Sequence, residues 1–172
     1  MSIYAVCLLF FLIFGTLHKS YAAAQLKKET FSITAGSFLQ HIPNCEDCTQ
    51  HFNNKFVAVL YRISPKTSLT LGTLKNSFGD RCLAIGVKKD WYDITSRLTF
   101  TGGYAYIGEF FLGTFSHCGA EGVYKSGRKL TGIGFAPYIY HGLEYDINKF
   151  ISIETGYVLP RLVVFTATYR IY

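Results

Sequence analysis

Large apolar side chains alternate with small or polar ones along much of the chain. The pattern is clearest where Leu83, Ile85 and Val87 fall on one side of an extended segment and Ala84 and Gly86 fall on the other. A period of two residues predicts a β-strand with one apolar face. The opposite face carries small side chains, so it must lie against something narrow or wet.

The same alternation returns along the chain and predicts about eight strands, joined by short turns and without a helix. The sequence places these strands at 31–39, 55–63, 69–74, 82–91, 98–106, 130–146, 151–157 and 162–172. Residues 40–54 are predicted to form a polar loop, and residues 109–129 to hold part of a strand and a long loop. Pro137 predicts either a break or an unpaired edge position within its strand.

Two architectures satisfy this pattern, a sandwich of two sheets and a small closed barrel. The barrel is favoured because large apolar side chains oppose small or polar ones on strand after strand, which suits a lipid-facing exterior around a narrow interior. We therefore predict an all-β fold, a small closed antiparallel up-and-down β-barrel of the outer-membrane type. Its interior is too narrow for bulk transport. The polar side chains expected to point inward as a hydrogen-bonded plug are Glu144, Ser152, Glu154, Thr166, Thr168 and Arg170.

The N-terminal residues predict export. Ile3 to Leu17 form an apolar run too short to span a bilayer, and Ala22 to Ala24 form a small-residue cleavage site. We predict a signal peptide at residues 1–24, a single barrel domain at 25–172 and a location in the outer membrane of a Gram-negative cell. No Lys or Arg precedes the apolar run, so an uncleaved anchor remains an alternative to the signal peptide. A soluble periplasmic β-domain is a separate alternative to the barrel.

The composition fits this picture but says little about partners. Aromatic residues make up 17% of the chain, and the formal net charge is +6. The basic residues are scattered singly or in pairs rather than in a long run, so nucleic-acid binding is not expected. The basic excess suits anionic lipid headgroups, although ordinary solubility charge explains it equally well.

Four cysteines follow the predicted cleavage site: Cys45, Cys48, Cys82 and Cys118. In an oxidising compartment they allow three disulfide pairings, among which the sequence does not choose. The spacing of Cys45 and Cys48 also suits a metal or redox site, but no second close Cys or His pair follows. We therefore expect disulfides in loops, and neither a metal nor a cofactor.

The segment Lys75 to Asp80 is the best candidate for chemistry. It is a predicted hairpin tip that carries an amide, a hydroxyl and a carboxylate, those of Asn76, Ser77 and Asp80. Asn and Ser are also common in turns for structural reasons, because their side chains bond the nearby backbone. A catalytic role for Ser77 therefore needs a general base within hydrogen-bond reach.

Parts of the sequence resemble the outer-membrane lipid A palmitoyltransferases. The resemblance lies in Phe52-Asn53-Asn54, Val57 to Arg62, Thr73 to Phe78 and Ala84 to Gly86, and in the closing segments Thr155 to Pro160 and Val163 to Tyr172. It implies transfer of an acyl chain, typically palmitoyl, from a phospholipid to lipid A, with an interior pocket that measures acyl length. Similarly patterned short proteins occur in bacteriophage genomes, so a viral origin is an open alternative.

The resemblance also implies three catalytic positions. Ser77 matches the family's serine, Asn76 occupies the position of its aspartate, and His41 matches its histidine, with His51 in reserve. Asparagine keeps an acceptor oxygen but lacks the charge, and in hydrolase triads that exchange costs about 10⁴ in rate. Two functions stay open: a lipid A acyltransferase, or a non-catalytic outer-membrane surface barrel such as a phage-encoded receptor-masking protein. The expected partners are membrane lipids, both phospholipid and lipid A, and the expected state is a monomer.

Overall fold

A computed structural model of the chain describes residues 30–42, 51–110, 113–159 and 162–172. The predicted signal peptide, Cys45, Cys48 and Pro160 lie outside these ranges. Within the described ranges, strands dominate the secondary structure, as the alternation predicts.

Nine strands are found in the described part of the chain. Their bounds are β1 (Phe31–His41), β2 (His51–Asn53), β3 (Val57–Ser64), β4 (Thr67–Lys75), β5 (Arg81–Asp93), β6 (Leu98–Gly108), β7 (Phe135–Asp146), β8 (Ile151–Val158) and β9 (Leu162–Ile171). From β3 to β9 each strand pairs with the next, and β1 pairs with both β3 and β9, which closes the barrel. β2 pairs with the second half of β1 and lies in the segment predicted as a loop. The predicted closed antiparallel barrel is confirmed, with eight strands in the wall and one short extra strand.

The two faces of the barrel wall differ as predicted. On β5, Cys82 and Ala84 are 0% and 3% exposed, whereas Ile85 and Trp91 are 42% and 43% exposed. An apolar exterior around a partly polar interior is the pattern of a transmembrane barrel. The outward residues on other strands are likewise large and apolar, among them Val57, Val59, Tyr61, Leu69, Leu71, Ile151, Ile153, Phe165 and Tyr169.

The barrel has two unlike ends, because alternate connections of an antiparallel wall lie on opposite sides. We call one the turn end, where short turns at 65–66, 94–97 and 147–150 join strands. The other is the loop end, which carries the hairpin tip 76–80 and the long connection 109–134. The candidate chemistry of the sequence lies at the loop end.

The connection 109–134 contains a 3-10 helix (Gly113–Gly119) and an α-helix, α1 (Gly122–Thr131). The prediction of a strand and loop without a helix is therefore wrong here. No residue of α1 is fully buried, and its short apolar stripe of Val123 and Leu130 is exposed. A stripe of two residues in a helix of 10 residues that contains Gly127 did not distinguish it from a loop. The helix ends at Gly132, whose left-handed backbone (φ 83) turns its N–H toward Arg128 O. No helix of the described residues is long and apolar enough to cross a membrane.

Pro137 lies within β7 without breaking it. It faces Tyr106 of β6, while the ladder between β7 and β8 begins only at Tyr140, opposite Val158. Proline is tolerated there because that side of β7 requires no ladder hydrogen bond. Of the two alternatives that the sequence offered, the unpaired edge position is confirmed.

Candidate functional site

A network of buried charges fills the turn half of the interior. Lys88 Nζ on β5 lies 2.8 Å from Glu144 Oε2 and 2.7 Å from Glu154 Oε2. Glu144 Oε1 also accepts hydrogen bonds from Ser152 Oγ at 2.5 Å and from Arg170 at 2.6 Å. Each carboxylate is thus paired, which is the condition under which buried charge is tolerated. We call Lys88, Glu144, Ser152, Glu154 and Arg170 the plug.

Further polar contacts extend the plug on both sides. Thr101 Oγ1 donates to Glu154 Oε1, and the hydroxyls of Thr34 and Thr168 lie 2.8 Å apart. Closer to the turn end, Arg62 lies 3.5 Å from Asp90. The cavity beside this pair measures about 20 Å³, which is room for about one water molecule. The prediction that these polar residues point into the barrel is confirmed. Together they obstruct its turn half.

Above the plug, the loop half of the interior encloses a cavity of about 90 Å³, which we call the chamber. Its floor is formed by Lys88 and Glu154, and its walls are mainly apolar or small. The small inward residues Ala84, Gly103 and Ala105 line it and leave the room. A narrow, mostly apolar chamber of this kind suits a slender apolar ligand. Wall residues include Phe56, Leu60, Leu74, Ala84, Ala105, Ile107, Tyr138, Tyr140 and Val164.

The connection 109–134 packs over the loop end of the chamber. A disulfide joins Cys82 of β5 to Cys118 of the 3-10 helix, and both residues are fully buried. The two sulfurs belong to an apolar cluster with Leu74 and Ile107, against which Tyr124 of α1 packs. This observation resolves the pairing of two of the four cysteines. We call residues 109–134 the cover.

An ion pair holds the cover together. Glu109 accepts hydrogen bonds from Arg128 and, at 2.5 Å, from the backbone N–H of Gly134. Burial disfavours the charged form of Glu109, but the hydrogen bonds and the guanidinium charge prevail and hold the pKa of its carboxyl below the ordinary value. Arg128 also donates to Ser116 O at 2.9 Å. Burial raises the pKa of Tyr124 to about 12, so its hydroxyl stays neutral.

Asn76 shapes the hairpin tip. It is 5% exposed, and its Oδ1 accepts hydrogen bonds from Phe78 N at 3.0 Å and Asp80 N at 2.9 Å. These bonds fix the turn in the way asparagine commonly does. Its Nδ2 is buried and has no hydrogen-bond partner among the described residues. The acceptor oxygen that a catalytic role would use is therefore engaged by the backbone of the tip.

Ser77 and His41 share the loop end but not a hydrogen bond. Ser77 is half-buried in the tip between β4 and β5. His41 ends β1, opposite Leu162 of β9. β3 separates β1 from β4, a distance of roughly 10 Å between strand axes. Among the described residues no hydrogen bond joins the two side chains, so the predicted catalytic set of His41, Asn76 and Ser77 stays a prediction.

Sequence reasoning did not identify the chamber or the lysine that pairs two glutamates. Alternation placed Lys88 on the inward face, yet it gave no sign that Glu144 and Glu154 would meet the same ammonium group. The signal for the chamber was present as small inward residues on neighbouring strands, Ala84 and Gly86 on β5 and Gly103 and Ala105 on β6. Only the register of the two strands brings them side by side.

Known structures share this architecture at low sequence identity. A de novo designed transmembrane β-barrel has a TM-score of 0.57 at 13% identity, covering 84% of this chain and 98% of the design. The solution structure of the design TMB2.3 has a TM-score of 0.52 at 15% identity, covering 84% and 95%. The N-terminal barrel domain of Pseudomonas aeruginosa OprF has a TM-score of 0.45 at 9% identity, covering 83% and 98%.

No protein-family model and no curated protein sequence matches the chain. The two designed barrels support the fold of a transmembrane β-barrel, at identities that show the fold alone. The resemblance to acyltransferases gains no support from these comparisons.

Proposed function

We propose that this barrel lies in the outer membrane and binds the end of one hydrocarbon chain of a lipid, a few carbons long, in its chamber of about 90 Å³. The chamber carries the proposal, because it is a mostly apolar cavity between a charged floor and a cross-linked cover. A chain that enters from the bilayer is already out of water, so its binding depends on packing against the chamber walls and not on hydrophobic transfer. The apolar exterior supplies the membrane setting in which such a chain is available.

The proposal places a lateral route into the chamber between β7 and β8, beside α1, whose Gly127 lies against Phe135 at the start of β7. The ladder between these strands ends at Tyr140 and Val158, with one further bond from Leu159 N to Ile139 O at 2.9 Å. Residues 135–138 of β7 form no ladder with described residues on that side. Tyr138 and Tyr140, which line the chamber, belong to this part of the wall. An acyl chain in the membrane would thus reach the chamber without crossing the plug.

The proposed reaction is the acyl transfer that the resemblance implies. An acyl chain leaves an ester of a glycerophospholipid and forms a new ester on a hydroxyl of lipid A, whose proton passes to the released lysophospholipid. In this proposal Ser77 and His41 act at the loop end, where the bound chain would present its ester, and Asn76 holds the tip. A general base must reach its target within hydrogen-bond distance, so His41 and Ser77 must approach each other when lipid is bound.

Mass spectrometry of lipid A tests the reaction. Cells that express the protein are expected to contain lipid A heavier by one acyl group, and Ser77→Ala or His41→Ala should remove that species. Ser96→Ala is the matched control, since Ser96 is an exposed serine in a turn at the opposite end of the barrel. Unchanged lipid A in cells that contain the folded, membrane-inserted protein would exclude this acyl transfer.

A non-catalytic surface barrel is the second candidate, and the geometry of Asn76 favours it. The Asn76 oxygen that would orient a histidine accepts both hydrogen bonds from the backbone of the tip. In that case Ser77→Ala changes nothing, and substitutions on the exposed face of the cover, such as Lys125→Glu, alter binding of a partner at the cell surface. The same strains and the same lipid A spectra separate the two candidates.

A further inference from the structure

Two basic side chains lie in one row on the outer face of the barrel. Lys89 of β5 faces Gly102 of β6, and Gly102 faces His141 of β7. Their neighbours Lys88 and Thr101 point into the plug, so Lys89 and Gly102 point outward. Basic residues on a lipid-facing wall are costly near the bilayer centre, and they are a reason to look for a function.

Hydrogen bonds and ring contacts fix His141 in this row. Trp91 Nε1 donates to Tyr104 Oη at 3.1 Å, and Tyr104 Oη lies 2.7 Å from His141 Nε2. An indole nitrogen only donates, so the tyrosine oxygen accepts from Trp91. The direction of the bond between Tyr104 Oη and His141 Nε2 depends on the tautomer of the imidazole. In the tautomer with the proton on Nδ1, the tyrosine hydroxyl donates to Nε2 and Nδ1 is left as a donor. Phe100 stacks on the imidazole with ring centroids 5.9 Å apart.

Gly102 makes room for this arrangement. A Cβ on Gly102 would lie 2.6 Å from Trp91 Nε1 and 2.9 Å from Tyr104 Oη. Any side chain at this position would therefore separate the two rings. The gap between Lys89 and His141 is thus covered by the edge of the indole instead of a side chain from β6. The cluster of Lys89, Trp91, Gly102, Tyr104 and His141 is called the outer cluster.

Lys89 has no acidic partner among the described residues. Its Nζ lies 4.2 Å above the Trp91 ring, and the outward residues directly across the ladders from it are Thr67 and Gly102. Asp93 of the same strand follows a bulge at Trp91, faces Thr99 and is engaged by Lys66 at 3.4 Å. Lys89 and His141 lie on either side of β6, roughly 10 Å apart between strand axes. An ammonium group and a histidine donor that border the same gap are complementary to an anion.

The level of the outer cluster in the wall identifies which anion is available. Gly102 lies four residues after Leu98, where β6 leaves the turn end. At about 3.3 Å per residue along a tilted strand, the cluster lies roughly 10 Å inside that end. Exposed aromatic residues of the same end, including Tyr92 and Tyr145, form a band of the kind found at the membrane interface. The outer cluster lies just on the membrane side of this band, from where the long side chain of a lysine extends toward the phosphate groups of lipids.

We propose that the outer cluster binds the phosphodiester of an anionic glycerophospholipid in the leaflet at the turn end. Lys89 pairs with the phosphate, His141 Nδ1–H donates to it, and Trp91 packs against the glycerol and the upper acyl carbons. This inference rests on the proposed position of the barrel in a membrane, and it is independent of the proposed acyl transfer. It concerns the exterior of the wall, whereas the chamber lies inside.

Native mass spectrometry of the purified full-length barrel with phosphatidylglycerol tests the site. Wild type is expected to retain one phosphatidylglycerol in preference to phosphatidylcholine. Loss of one lysine contact with an anionic headgroup predicts about fivefold weaker retention for Lys89→Gln. His141→Phe keeps the ring stack but removes the donor and should also weaken retention. Lys149→Gln is the matched control. Lys149 Nζ also lies over an aromatic ring, 4.7 Å from the centroid of Phe150, but without a neighbouring histidine side chain.

Each outcome decides the proposal. Selective loss in Lys89→Gln and His141→Phe, with Lys149→Gln unchanged, supports it. Three results overturn it. Lys89→Gln retains the lipid as well as wild type does, Lys149→Gln loses it equally, or a dimer is found in place of the bound lipid. Membrane fractionation of the same cells separates this result from the proposed function. A barrel recovered without detergent contradicts the membrane location, whereas an inserted barrel that does not prefer phosphatidylglycerol contradicts only the outer cluster.

Discussion

The turn half and the loop half of the interior are built from the same alternating pattern, yet their contents are opposite. In the turn half the inward positions carry Lys88, Glu144, Glu154 and Arg170, which satisfy one another. In the loop half they carry small and apolar residues such as Ala105, which leave a chamber of about 90 Å³. The interior of a narrow barrel can be filled along its whole length by either kind of residue. The presence of both leaves the loop half with a chamber that the plug does not fill, and our proposal assigns a ligand to it.

The halves also differ in how they resist disruption. The plug depends on mutual pairing, so the loss of one charge leaves others buried without a partner. The cover of the loop half depends on a disulfide and one partly exposed ion pair. We therefore expect the plug to dominate global stability and the cover to control access to the chamber.

Removal of the central cation of the plug should have the largest effect. Lys88→Met leaves Glu144 and Glu154 facing each other without the ammonium group and should lower the free energy of unfolding by about 3–5 kcal/mol. Urea unfolding in detergent micelles measures this loss. Lys66→Met is the control, since the Lys66–Asp93 pair is exposed and should contribute less than about 1 kcal/mol. Equal effects of the two substitutions would contradict the special role of the plug.

Removal of the disulfide should have a comparable or smaller effect that is confined to the loop half. The bond closes a loop with a sequence separation of 36, for which the chain-entropy relation gives about 4 kcal/mol as an upper value. The double variant Cys82→Ala, Cys118→Ala should lose that stability while the plug stays protected from hydrogen exchange. Equal loss of protection at Lys88 and at Tyr124 would show that the two halves unfold together.

The smallest effect is expected from pH acting on the cover. The pKa of Glu109 is held below its ordinary value in the folded state, so its ion pair stabilises the cover above that ordinary value. This contribution is lost as the pH falls through the lowered pKa. Because Arg128 is 40% exposed, we expect about 1 kcal/mol or less. Protection factors of the α1 amides, which correct for the intrinsic pH dependence of exchange, should fall between pH 6 and pH 3 in wild type and change less in Glu109→Gln.

The sequence predicts the wall better than what the wall encloses. Alternation assigns Cys82 inward and Ile85 outward because a strand has only two faces, and that local rule survives folding. The partners of Lys88 depend on the register of β7 and β8, which no local pattern specifies. α1 was missed because it is short, contains glycine and is mostly exposed, with Tyr124 packed against the apolar cluster. The pairing of Cys82 with Cys118 required the position of the cover. The catalytic set of His41, Asn76 and Ser77 depends on distances between loops and stays a prediction.

Direct binding of a fatty acid tests the central claim that the chamber holds the end of one hydrocarbon chain. Tritiated palmitate is titrated against the barrel in a short-chain detergent, with two variants that add the same volume on opposite faces of the wall. Ala105→Leu fills the chamber, whereas Ala167→Leu adds its side chain to the exposed face of β9. We expect wild type and Ala167→Leu to bind one palmitate per barrel, and Ala105→Leu to bind it at least about tenfold more weakly, since several methylene groups lose their place. Equal binding by Ala105→Leu and wild type would contradict the account.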